Sequence, residues 1–151
     1  GMSQVADQIE RYKKAWKESN HQNPIDVSLR VPVFVSESKE EALRAPEDSF
    51  MKQFRRLGNQ LAASVKKDDR DTGGQRSERS TQLAEITWGN VQKEKVAVGT
   101  PEMVVDRINQ YRGDLGITGL SLDINPGGQV PYDRVVNSMR LLTEKVMPQF
   151  K

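Results

Sequence analysis

The residues of this chain whose types and spacing could do chemistry gather in one stretch, Leu120 to Gly128, "LSLDINPGG". Leu120, Leu122 and Ile124 alternate with Ser121, Asp123 and Asn125, so a strand here sets the polar three on one face and ends at Pro126-Gly127-Gly128. Polar groups at the carboxyl end of a strand, followed by a glycine loop and a helix, are where α/β proteins commonly hold ligands. Two readings stand for each residue. Asp123 and Asn125 either face a ligand or are polar because that face meets water. Gly127 and Gly128 either let a ligand come close to the backbone or supply the positive φ of a turn, and the turn is the simpler account. "PGGQ" carries neither the G-x-G-x-x-G spacing nor the Walker lysine of a phosphate loop.

Other chemistry is excluded or unsupported. His21 is the single histidine, placed after the first helical stretch with no acid or nucleophile nearby in sequence, so no metal site or catalytic dyad is expected there. With no cysteine, disulfides, thiolate metal sites and thiol nucleophiles are ruled out. The residues alone assign no catalytic group. The 23 basic and 21 acidic residues interleave to a net charge of +2, which gives little support to a nucleic-acid partner or an anionic membrane. No apolar run is long enough to span a bilayer or to act as a signal core, so a cytoplasmic location is the default expectation. Gly1 ahead of Met2 reads as a scar of tag removal.

The elements that must position these residues form one domain over residues 1–151, the length of an ordinary single core. Val5, Ile9, Tyr12 and Trp16 mark the inner stripe of a first helix. Val27, Leu29, Val31, Val33 and Val35 alternate as a strand, where Pro32 demands an edge, a bulge or an unpaired side. Ser38 with Glu41 makes a capping box, and Pro46 starts a helix with Phe50, Phe54, Leu57 and Leu61 on one face. Residues 66–80, with no apolar side chain, read as a polar connecting loop, followed by a short helix from about Thr81 to Trp88. Thr100-Pro101-Glu102 opens a helix carrying Val104, Ile108, Tyr111 and Leu115, and Gly116 ends it. A last helix, Pro131 to Met147, carries Val135, Met139, Leu142 and Val146. Strands joined by long helical connections predict the α/β class, with about two parallel βα units.

Five segments, "RYKKAWKESNHQNP", "RVPVFVSESKEEA", "VGTPEMVVDRI", "LGITGLSLDINPGG" and "SMRLLTEKVMPQF", resemble in order and spacing the carboxy-terminal portion of the luciferase-like flavin-dependent monooxygenases. The resemblance implies a partial (β/α)8 TIM barrel, with Val27–Val35 and Leu120–Asn125 as its last two strands. It sets Arg30, Asp123 and Asn125 on the barrel-facing side and Gly127 and Gly128 in the loop at the catalytic face, as cofactor- or ligand-binding residues. It implies an oxidoreductase using reduced flavin, FMN or a related one, and oxygen on a small organic substrate. Most of the flavin pocket would come from strands this chain lacks. Arg30 and Asp123 on adjacent parallel strands could also simply pair.

A sheet of two strands, with helices on one face only, needs its edges completed. A homo-oligomer is therefore expected, or a second polypeptide supplying the missing strands. The fragment or subunit of a monooxygenase is the leading reading. The alternatives are an oligomer that holds flavin or another small ligand without turnover, and a purely structural protein.

Overall fold

Three strands, not two, lie among the described residues: β1 Ser28–Val35, β2 Ala97–Gly99 and β3 Gly119–Asp123, all parallel, in the order β2-β1-β3. The structure is a computed structural model that describes residues 2–65 and 73–150. Strand β2 leaves no periodic signal in the sequence because it is three residues long and buried throughout. An apolar run with no exposed face cannot alternate.

The pairing of β1 is staggered. Its first part, Ser28 to Pro32, lies against β3, and its last part, Val33 to Val35, lies against β2. Pro32 sits where the partner changes, so each half of β1 has a neighbouring strand on one side only. That meets the condition a proline sets inside a strand. Beyond the end of β3, the backbone N–H of Val35 donates instead to the buried Ser138 hydroxyl at 2.8 Å, while Ser36 N–H donates to the Gly99 carbonyl at 3.2 Å.

The described residues form seven α-helices, of which α4 packs on α3 rather than on the sheet: α1 Met2–Glu18, α2 Lys39–Arg44, α3 Glu47–Val65, α4 Gly73–Ala84, α5 Trp88–Glu94, α6 Pro101–Leu115 and α7 Tyr132–Leu141. Val31, Val33, Val35 and Ala97 face one core with Ile9 of α1, Val104, Ile108, Tyr111 and Leu115 of α6, and Leu141 of α7. Phe34 and Val98 face a second core with Phe50 and Met51 of α3 and Val91 of α5, with Trp88 packed against it. The expectation that helices could bury one face only is thus corrected. Phe50 meets Trp88 edge-on at 6.2 Å between ring centroids, and Trp88 donates to the Leu43 carbonyl at 2.7 Å. Burying a Phe side chain contributes roughly 1.5–3 kcal/mol, so Phe34 and Phe50 are large contributors to holding α3 on this second face.

Local expectations fare unevenly. Ser38 caps α2 by accepting from Glu41 N–H, and Gly116 ends α6 in the left-handed region at φ 60°. Residues 73–80 of the polar stretch are helical, forming most of α4, while 66–72 lie outside the described residues. On α3, Phe50 is buried but Leu57 is 39% exposed. After α7 the chain widens into a π turn, Leu142–Val146, and closes with a 3-10 turn, Met147–Phe150. Ser138, Leu141, Leu142 and Val146 are buried, and Met139 points outward.

Candidate functional site

The β1→β2 connection runs through α2, α3 and α5 over one face, and the β2→β3 connection runs through α6 over the other. Two connections leaving a sheet on opposite faces open a crevice at the carboxyl ends of the strands between them. The chain's candidate site is therefore at the carboxyl ends of β1 and β3.

Arg30 and Asp123 do come together. The guanidinium donates to the carboxylate at 2.8 Å, with the Arg30 side chain 75% exposed and that of Asp123 25%. An exposed pair of this kind contributes at most about 1 kcal/mol.

Asn125, Gly127 and Gly128 form a separate group, closed on the first turns of α3. Ser49, 1% exposed, donates to the Pro126 carbonyl at 2.7 Å, lies 3.2 Å from Asn125 Oδ1, and accepts from Gln129 N–H at 2.9 Å. Asn125 Oδ1 also accepts from Val130 N–H at 3.2 Å, and its Nδ2 donates to the Val130 carbonyl at 3.3 Å. Gly127 has φ 88°, and a Cβ there would stand 1.8 Å from the Ser49 carbonyl oxygen. Gly128 has φ 70° with open space around it. What approaches the backbone closely at Gly127 is α3.

Beside this loop a cleft of about 390 Å³ opens at the end of β1, lined by Phe34, Val35, Ser36, Glu41, Asp133, Arg134 and Asn137. Ser36 Oγ donates to Glu41 Oε2 at 2.9 Å, and Arg134 Nε lies 3.5 Å from Glu41 Oε1. At its edge, Glu37 accepts from Asn137 Nδ2 and from Arg140 Nη2, both at 2.9 Å. The Asn137 amide, the residue's own backbone N–H and the Arg140 charge hold the Glu37 carboxyl below the usual glutamate range. Sequence reading passed over Ser36, Glu37, Asn137 and Arg134. The available signal is "SES" directly after a strand, of which Ser38 alone reads as a helix cap. Among the described residues no group of His, Asp or Glu could hold a metal ion, and no helix is long and apolar enough to cross a membrane.

Fold and crevice together define an α/β protein built as part of a (β/α)8 barrel. The chain belongs to the luciferase-like monooxygenases, whose family model matches residues 2–119. Among solved structures it is similar to the monooxygenase RslO1 from Streptomyces bottropensis, at TM-score 0.61 and 23% identity, covering 99% of this chain and 39% of that one. It is also similar to the oxygenating constituent of 3,6-diketocamphane monooxygenase from Pseudomonas putida, a type II Baeyer-Villiger monooxygenase in complex with FMN. Here the TM-score is 0.68 at 17% identity, covering 100% of this chain and 41% of that one. The chain thus spans about two fifths of either structure. Comparison with the curated proteins gives no match.

The cleft at the end of β1 does not by itself fit a flavin. The cleft sets Glu41 and Asp133 against one arginine, already paired, where a flavin phosphate needs unpaired donors. Phe34 and Phe50, about 1% exposed or less, are buried in the second core and offer no open ring face for an isoalloxazine to stack on.

Proposed function

We propose that this chain is a sector of a flavin-dependent luciferase-like monooxygenase, an oxidoreductase acting with reduced flavin and oxygen on a small organic substrate. The remaining barrel is supplied by other copies of the chain or by a second polypeptide. The observation behind this reading is the family match over residues 2–119, in a chain spanning about two fifths of flavin monooxygenase relatives. Under it, this chain contributes the wall made by Arg30 and Asp123 and the polar cleft of Ser36, Glu41 and Asn137. Asn125, Gly127 and Gly128 keep that wall in place. The flavin's phosphate donors come from the completing chain.

A second reading has its own support. The packing of Gly127 on Ser49 and the internal filling by Phe34, Phe50 and Trp88 favour a non-catalytic oligomer, structural or holding a small ligand.

Sedimentation equilibrium of the purified chain, with and without FMN, separates the two when protein and flavin absorbance are followed together. The monooxygenase reading expects flavin to co-sediment once the barrel is completed, by self-assembly or by an added polypeptide carrying the earlier strands. Flavin that stays free in every such mixture refutes it and leaves the structural reading.

A further inference from the structure

Four of the six large hydrophobic side chains exposed among the described residues lie on the last helical stretch: Tyr132 at 84%, Val136 at 45%, Met139 at 47% and Met147 at 52%. Tyr132, Val136 and Met139 follow one another at intervals of four and three, the spacing of a two-helix seam. They point away from the sheet, since the opposite side of α7 meets β1 through Ser138. An apolar stripe of this kind, rimmed by charge, marks an interaction surface.

The charges on its rim select the occupant. Asp133 and Arg140 flank the seam on one side, seven residues apart. Asp133 is exposed and has no ion pair among the described residues. Arg140 is bonded to Glu37, Asn137 and Glu144 through its two terminal nitrogens, which leaves its Nε–H to donate. If two α7 helices pack antiparallel, Val136 of one copy meets Met139 of the other, and each Asp133 faces the Arg140 of the other copy. A parallel pair would instead set Arg140 against the apolar Val135. We propose that the outer face of α7 binds a second copy of this chain antiparallel about a two-fold axis, with Val136 and Met139 at the centre and reciprocal Asp133–Arg140 pairs at the rim. A two-fold contact repeats the same patch on both subunits, and an apolar stripe with opposite charges at matched positions is self-complementary. The contact joins two copies through their helices and leaves the β2 and β3 edges open, so it goes beyond the barrel completion proposed above.

So short a seam buries well under the ~1,600 Å² of a standard interface, so the dimer dissociates on dilution. Sedimentation velocity of the whole chain, without flavin, tests it. The native chain should show a dimer fraction rising with concentration. Met139→Glu should give a monomer with an unchanged far-ultraviolet circular dichroism spectrum. Asp133→Arg and Arg140→Asp should each weaken the dimer by roughly tenfold through like charges facing across the contact. Mixing those two variants should restore it, because both rim pairs re-form in the heterodimer. A native chain that sediments as one copy at every concentration overturns the proposal. An oligomer that none of these changes disturbs leaves self-assembly standing and removes it from α7. Flavin co-sedimentation is read separately, so failure of the surface and failure of the monooxygenase reading are told apart.

Discussion

The glycine loop after β3 and the turn after β1 stand at the same end of one sheet and are built on opposite principles. In the loop, Asn125 and Ser49 spend their hydrogen bonds on one another and on backbone groups within the chain. In the turn, Ser36 and Glu37 hold their partners at the margin of an open cleft, with Arg134 and Arg140 still about half exposed. The stretch that looks made for a ligand locks α3 to the sheet, and the stretch that looks like a helix cap borders the cleft. A glycine signals close approach to the backbone, but not of what.

Substitutions can break this contrast or sharpen it. Gly127→Ala should have the largest effect, since its Cβ would stand 1.8 Å from the Ser49 carbonyl oxygen and α3 would have to move. Overpacking of this severity costs about 3 kcal/mol, roughly a 6–12 °C fall in melting temperature for a chain of this size. A melting curve close to the native one would mean that the loop does not clamp α3. Ser49→Ala should cost about 2 kcal/mol, because it leaves the buried Pro126 carbonyl and the part-buried Gln129 N–H without their partner. Chemical denaturation with an unchanged slope would measure that loss. Gly128→Ala adds a methyl to open space and meets only the strain of φ 70°, about 1–2 kcal/mol. If it matched Gly127→Ala, backbone strain rather than contact with α3 would explain both.

On the cleft side, Arg134→Ala should change stability by less than about 1 kcal/mol, as exposed ion pairs do. Glu37→Gln should have the smallest effect, and one that depends on pH. The folded Glu37 carboxyl is lowered, so its contribution is full above the unfolded glutamate value and fades as pH falls through the folded one. Native and variant melting temperatures should therefore converge in acid. A gap that persists there would assign the effect to something other than the carboxylate charge.

How much of this was legible follows from which forces leave a periodic trace. The alternation of β1 and the Thr100-Pro101 start and Gly116 end of α6 are local and could be read directly. The burial of Ile9, Val104, Ile108, Tyr111 and Leu115 on their stripes followed from spacing. Strand β2 was hidden because three buried residues cannot alternate. The second core was hidden because Phe34 reads as one side of an alternating strand, and nothing local says that α3 returns over it. The Ser49 contact joins residues 76 and more positions apart, and the serine lies within a helix where it looks like ordinary surface. Met139 points outward although its spacing places it on the inner stripe, because Ser138 takes the inward position to serve the Val35 N–H beyond the end of β3.

The staggered pairing of β1 also governs the order in which the chain can be finished. Its first half waits for β3, about ninety residues later, and the Val35 N–H waits for Ser138, 103 residues further on. Contacts so distant must overcome the loop-closure entropy of the intervening chain before they stabilise anything, which slows folding. On a polypeptide emerging from a ribosome, β1 would stay incomplete until α7 had cleared the exit tunnel. Strand β1 is made well before the two elements that secure it, and α7 sets the time of its completion.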